Sequence, residues 1–167
     1  LGFTFNPSIT VSVSGDLSIN ELTPGNYADS NIVTIGVVTN AVNGYVLQAT
    51  TGTNSTNSRL VNTENSNYYF TSLGTNETVT SMNSANDNTW GYSYSTDNGT
   101  TWISSPGTLG YSGLPQYANT TAAERGSGGK TLIDTNDSAS NQSVKFNIGA
   151  KAASNQASGE YTNTVNF

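Results

Sequence analysis

Apolar and polar side chains alternate with a period of two along much of this chain, and that period puts successive side chains on opposite faces of extended backbone. Leu1, Phe3 and Phe5 share one face against Gly2 and Thr4, Pro7 interrupts, and Ile9, Val11 and Val13 resume against Thr10 and Ser12. The pattern predicts two short strands, or one strand broken at the proline. Asp16 to Ile19 continues it after a turn at Gly15, and Thr23-Pro24-Gly25 marks the next turn. From Asn31 to Thr39 nearly every residue is apolar or β-branched, with Val33, Ile35 and Val37 on one face and Ile32 and Val38 on the other. That is the pattern of a central strand. Asn43-Gly44 turns the chain into Tyr45, Leu47 and Ala49, which alternate with Val46, Gln48 and Thr50, so an antiparallel partner is expected there.

Residues 51–67 are dominated by Thr, Asn and Ser and read as a long exposed loop or a decorated insertion. Tyr68 to Leu73 and Val79 to Met82 read as short strands or a single helical turn, Gly107 to Tyr117 as an ordered loop, and Gly126 to Gly129 as a turn ahead of Lys130 to Asp134. Asn119 to Arg125 has room for one helical turn. Val144, Phe146 and Ile148 alternate with Lys145, Asn147 and Gly149 as a half-buried strand. Ser158-Gly159 then turns the chain into a last strand carrying Tyr161, Val165 and Phe167. No longer segment repeats with the helical period. The expectation is an all-β, antiparallel β-sandwich of roughly ten strands, formed by residues 1–167 as a single domain.

The stretch from Trp90 to Trp102 carries the most local information. Trp90, Tyr92 and Tyr94 alternate with Gly91, Ser93 and Ser95, and Asp97-Asn98-Gly99 is a strong tight-turn signal, so a hairpin is expected with Trp102 on its returning strand. Asp97 can accept hydrogen bonds from amides of its own turn and Ser95 can pair across it, which accounts for the spacing of Ser95, Asp97 and Gly99 structurally. The same residues fit Ser-x-Asp-x-Gly-x-Thr-Trp and resemble the Asp-box repeat of sialidases and other sugar-active propellers. The functional alternative is therefore a glycan platform built from Trp90, Tyr92, Tyr94 and Trp102. A propeller needs several blades, and the pattern occurs once. Arg59 and Arg125 are the only arginines, so no cluster is available to grip a sialic acid carboxylate.

Composition narrows the picture further. Of 167 residues, 70 are Asn, Ser or Thr and only 10% are charged, so the surface is polar but nearly neutral. Five basic side chains against eleven acidic ones give a net charge of −6 without any basic cluster, which argues against nucleic acid as a partner. No apolar run is long enough to span a bilayer as a helix. Cysteine and histidine are both absent, which removes disulfides, thiol nucleophiles, imidazole bases and the familiar zinc sites. No cofactor is expected. The chain begins at Leu1 without a signal-peptide pattern, and processing after export is the expectation drawn from this.

The segments Phe5-Asn-Pro-Ser-Ile9, Gly15-Asp-Leu17, Leu22-Thr-Pro-Gly25, Asp29-Ser-Asn31, Gly44-Tyr45, Trp90 to Trp102, Lys145-Phe-Asn-Ile148, Ala150-Lys-Ala152 and Gly159-Glu-Tyr161 run through nearly the whole chain. Their succession resembles a family of exported, largely uncharacterised surface β-proteins from ultrasmall candidate-phyla bacteria. More distantly the design is similar to the sandwich modules of pili and cell walls. The resemblance implies export and an extracellular, cell-surface location, and it brings no activity or catalytic residues with it.

Candidate chemistry is sparse. A glycosidase needs two facing carboxyl groups, and Asp16, Glu21, Asp29, Asp87, Glu124, Asp134, Asp137 and Glu160 all sit in or beside turns, where acidic residues are expected anyway. Asp134-Thr-Asn136-Asp137 lacks the glycine and closing glutamate of a calcium loop, so no metal site is expected. A lysine-to-asparagine cross-link needs a buried lysine, and Lys130, Lys145 and Lys151 are the only lysines. Asn54, Asn76, Asn98, Asn119, Asn136 and Asn141 open Asn-x-Ser/Thr sequences, which predict exposure rather than glycosylation in so Asn-rich a chain. The expected function is non-enzymatic: a secreted structural subunit of a surface fibre or layer, a homopolymer built by strand pairing. Its expected subunit interface is Leu1, Phe3 and Phe5 at one end and Tyr161, Val165 and Phe167 at the other. The alternative is an adhesin binding a host or cell-surface glycan.

Overall fold

Where the apolar alternation is cleanest, the backbone follows it: Val33–Thr39 is a strand whose odd-numbered side chains are buried. The computed structural model describes residues 2–51, 58–74, 78–102, 105–106, 111–112, 129–137 and 142–167. In chain order the strands are β1 (Ile9–Val13), β2 (Tyr27–Asp29), β3 (Val33–Thr39), β4 (Tyr45–Thr51), β5 (Leu60–Asn62), β6 (Tyr69–Ser72), β7 (Thr78–Val79) and β8 (Thr89–Ser95). They continue with β9 (Thr101–Trp102), β10 (Ser105–Pro106), β11 (Tyr111–Ser112), β12 (Lys130–Thr135), β13 (Gln142–Lys151), β14 (Tyr161–Thr162) and β15 (Val165–Asn166). One 3₁₀ turn, Met82–Ser84, lies between β7 and β8.

The large sheet runs in the order β1-β3-β13-β8-β6-β5-β14, and a small second sheet runs β12-β4-β15. The chain is an all-β, sandwich-like fold. β13 is its central strand: β3 pairs with its first half, β2 takes over along Gly149–Lys151, and β8 covers the other edge. Between β3 and β2 the gap is closed by Ser30, whose amide donates to the Ile148 carbonyl at 2.8 Å while its Oγ accepts from the Ile148 amide at 3.0 Å.

Cross-strand neighbours Ile35 and Val144, Phe146 and Tyr94, Ile148 and Tyr92, and Ala150 and Trp90 line one face of the large sheet. That face packs on Tyr45, Leu47 and Ala49 of β4 and Leu132 of β12 to form the main core. Tyr92 stacks on Phe146 with ring centroids 5.3 Å apart, and Phe167 meets Phe146 edge-on at 5.2 Å. Leu132 is a bulge residue, left over where the pairing shifts between Thr131 and Ile133.

Several expectations need correction. Asp16 to Ile19 is not a strand, although Leu17 and Ile19 still pack on the core. β13 is not half-buried, because β3, β2 and β8 flank it and both faces are covered from Phe146 to Ala150. Residues 58–67 include β5 and the buried Ser58 and Asn62 rather than an open loop. The sheet is mixed, since β6 runs parallel to β8. A parallel pair needs a crossover of roughly a dozen residues, and the stretch through β7 and the 3₁₀ turn supplies it. The expected last strand is two: Tyr161–Thr162 joins β5 in the large sheet, and Val165–Asn166 joins β4 in the small one. Most of the expected loop at 107–117 and the turn at 119–125 lie outside the described residues.

Candidate subunit interface

The residues expected to join subunits fall into two different environments. Phe3 and Phe5 are 92% and 79% exposed, and residues 2–5 form no hydrogen bond with other described residues. Leu1 lies outside the described residues. The expected first strand is therefore an unpaired arm. It is held where it meets the fold by Asn40, whose Oδ1 accepts from the Ser8 amide at 2.6 Å and whose amide donates to the Ser8 carbonyl at 3.3 Å. Thr39 Oγ1 donates to the same carbonyl at 2.6 Å. Beyond this clamp, β1 pairs with β3 in a register that sets Val11 opposite Val37 and Val13 opposite Ile35. Ile9, Val11 and Val13 thus continue the core face of the sheet, yet all three stay exposed.

At the other end, Tyr161, Val165 and Phe167 are partly buried against the main core. Tyr161 meets Phe70 edge-on at 4.9 Å and donates its hydroxyl to the Ala157 carbonyl at 2.7 Å. These three residues are tied into their own sandwich, as terminal strands commonly are.

Between that segment and residues 15–24 lies an open groove of about 1110 Å³. Trp90, Ile148, Ala150 and Phe70 form its floor, Leu17, Ile19 and Leu22 one wall, and Tyr161, Val165 and Phe167 the other. The wall on the first side is fixed by Asn31, whose Oδ1 accepts from the Ser18 amide at 2.7 Å and whose Nδ2 donates to the Asp16 carbonyl at 3.0 Å. Among the described residues the second layer is narrower than the first, three strands against a path of seven, and the groove lies where this leaves the large sheet uncovered. β15 is the outer strand of that layer, and among the described residues no strand pairs with its second edge.

The aromatic platform does not form. Trp90 is 1% exposed, Tyr92 0% and Trp102 9%, and Tyr94 stacks beside Tyr92 at 6.2 Å. The Trp90 and Tyr92 rings are enclosed by protein and Tyr94 is half-buried beside them, so little ring face is left to offer a sugar. Trp90 Nε1 donates to the Ser58 carbonyl at 2.8 Å, which satisfies its one polar atom. Trp102 stands apart from the main core and closes on its own loop, donating Nε1 to the Gly99 carbonyl at 3.0 Å.

The hairpin expectation also changes. β9 pairs with β10 instead of returning along β8, whose one edge carries β13 and whose other carries β6 and β11 at Thr89, Trp90 and Tyr92. Ser95, Asp97 and Gly99 nonetheless meet in one compact turn. Ser95 Oγ donates to Asp97 Oδ1 at 2.6 Å and accepts from the Gly99 amide at 2.9 Å, and the Thr101 amide donates to Asp97 Oδ1 at 2.7 Å. Asn98 and Gly99 both have positive φ, 61° and 89°. Bonds from Ser95 and then Thr101 hold the Asp97 carboxyl down at about 2.

Elsewhere the polar residues serve the fold. Lys151 donates to the carbonyls of Asn83 and Ala85 at 3.1 and 2.8 Å, at the end of the 3₁₀ turn, and its Nζ lies 3.4 Å from Asp87. Among the described residues no three Asp or Glu side chains gather as a metal site, and no helix is long and apolar enough to cross a membrane. Sequence reasoning missed the asparagine clamps. Asn62 is buried, accepting from the amides of Glu64 and Asn65 at 2.9 Å each and donating to the Ser158 carbonyl at 3.2 Å. Among so many asparagines, only the adjacent run Leu60-Val61 set this one apart. Compared with protein-family models, curated proteins and solved structures, the chain matches none.

Proposed function

We propose that the protein is a structural subunit of an extracellular surface fibre or layer, assembling with copies of itself by strand pairing. The observation that carries this reading is the arm: two aromatic side chains at alternate positions, largely exposed, on backbone that forms no hydrogen bond with other described residues. An apolar strand left open in this way is a template for pairing with another chain. The charge-poor, Asn/Ser/Thr-rich surface and the likeness of the segments from Phe5-Asn-Pro to Gly159-Glu-Tyr161 to exported surface β-proteins support the location. Three of the four rings of the rival glycan platform, Trp90, Tyr92 and Trp102, are buried, which weighs against that reading.

Removing residues 1–5 tests it. Light scattering across a concentration series, with negative-stain imaging, should find oligomers or filaments for the full chain and a folded monomer for the truncated one. An unfolded truncation, or unchanged assembly, would count against the arm as the joining element.

A further inference from the structure

We infer that the groove beside β15 is the receptor for the arm of a second copy of this chain, which enters as an extra strand of the small sheet. This rests on the assembly reading above and names the surface on which it acts. Two features of one molecule are complementary. Among the described residues the small sheet ends at β15 with no strand on its outer edge, and next to that edge is a trough floored by the core face of the large sheet. Its walls, Leu17, Leu22, Val165 and Phe167 among them, are only partly buried and leave apolar surface for an occupant. The arm is the only described segment with two large aromatic side chains exposed at alternate positions, and residues 2–8 carry no charged side chain.

The donor is a second copy because of where the arm leaves the fold. Val13 lines the groove, whereas the arm departs from Ile9 at the other end of β1, about 13 Å away at the usual strand rise. It would have to double back through Pro7 and the Asn40 clamp to reach its own groove.

The contact is large enough to hold. A buried aromatic side chain removes about 150–250 Å² of surface, so two rings and the walls closing on them account for about 700 Å² counted on both sides. Strand backbone between and beside them brings the contact to about 1,000 Å², the size at which specific interfaces begin. Donor and receptor patches lie on different parts of the molecule, so the contact is head-to-tail and generates rings or open filaments rather than closed pairs.

The absence of cysteine makes a clean test in the full-length chain. Thr4→Cys, between the two phenylalanines, is mixed under oxidation with Ala157→Cys or Asn20→Cys on the two groove rims, and separately with Val42→Cys, an 81% exposed site away from the groove. Rim mixtures should yield mixed disulfide dimers at least ~10-fold above the Val42→Cys mixture. Phe3→Asp with Phe5→Asp should leave the fold intact, both rings being exposed, and weaken association by at least ~30-fold, the effect of losing a central interface residue. Assembly without enrichment at the rims overturns the groove while leaving self-association standing. A monomer at all concentrations overturns both. A Thr4→Cys/Ala157→Cys double variant that closes mainly within one chain overturns the assignment to a second copy.

Discussion

Trp90 separates the core reading of the aromatic strand from the platform reading, and Trp90→Ala is the perturbation that decides between them. The side chain is 1% exposed and its indole N–H is bonded to the Ser58 carbonyl. Burying an aromatic of this size removes about 200 Å² from water, worth about 5 kcal/mol at the usual coefficient. A compact unfolded chain lowers that to about 3–4.5 kcal/mol, within the range found for truncating a large aromatic in a core. Loss of the hydrogen bond to the Ser58 carbonyl adds about 1 kcal/mol. The expected loss is thus about 4–5.5 kcal/mol out of a total of about 5–15 for a typical domain. At about 2–4 °C per kcal/mol for this chain length, the melting temperature should fall by about 8–20 °C. Urea unfolding followed by near-UV circular dichroism reads it. Trp90→Phe keeps most of the ring and should cost about 1–2 kcal/mol, chiefly through the lost hydrogen bond. A Trp90→Ala protein within about 1 kcal/mol of the parent, with the same denaturant slope, would falsify the packing described for β8.

Two further outcomes follow from the polar framework. The Asp97 carboxyl should titrate by NMR at about 2. Its folded value lies below its unfolded one near 4, so its contribution to the turn is complete above that pH and is lost as pH falls through about 2. Asp97→Asn should abolish this titration and loosen the Thr101 amide in hydrogen exchange, and an ordinary titration near 4 would refute the turn geometry. Asn62→Ala removes the side chain that ties the Glu64 and Asn65 amides to the Ser158 carbonyl and should cost about 1–2 kcal/mol, measurable by urea unfolding. A cost below about 0.5 kcal/mol, typical of an open surface position, would refute its role.

The strands were legible wherever one face of the chain had to be dry. Val33, Ile35 and Val37, or Tyr45, Leu47 and Ala49, announce their burial by alternation, and the structure buries them. What escaped was decided by partners far along the chain. Nothing near Tyr161 says that Thr162 ends one sheet and Val165 begins another, because that division depends on where β5 and β4 lie. The hairpin at Asp97 shows the same limit: the turn is local and readable, but Trp102 goes on to pair with Ser105 of β10 rather than back along β8, a destination the turn residues do not encode. The candidate site divides likewise. Alternation at Phe3 and Phe5 pointed to the arm, whereas the groove arises from a mismatch in width between two layers, which no single segment encodes.

The passage of the C-terminal segment from one layer to the other also sets a schedule. Thr51 Oγ1 donates to the Thr164 carbonyl across 113 residues of sequence, and β15 pairs with β4 beside it. The small sheet therefore cannot close until Val165 has emerged, long after β3 and β4 have been made. Contacts of such long range fold slowly. Until then the edge of β4 that takes β15 has no partner, and the Phe167 ring that meets Phe146 edge-on is missing from the core.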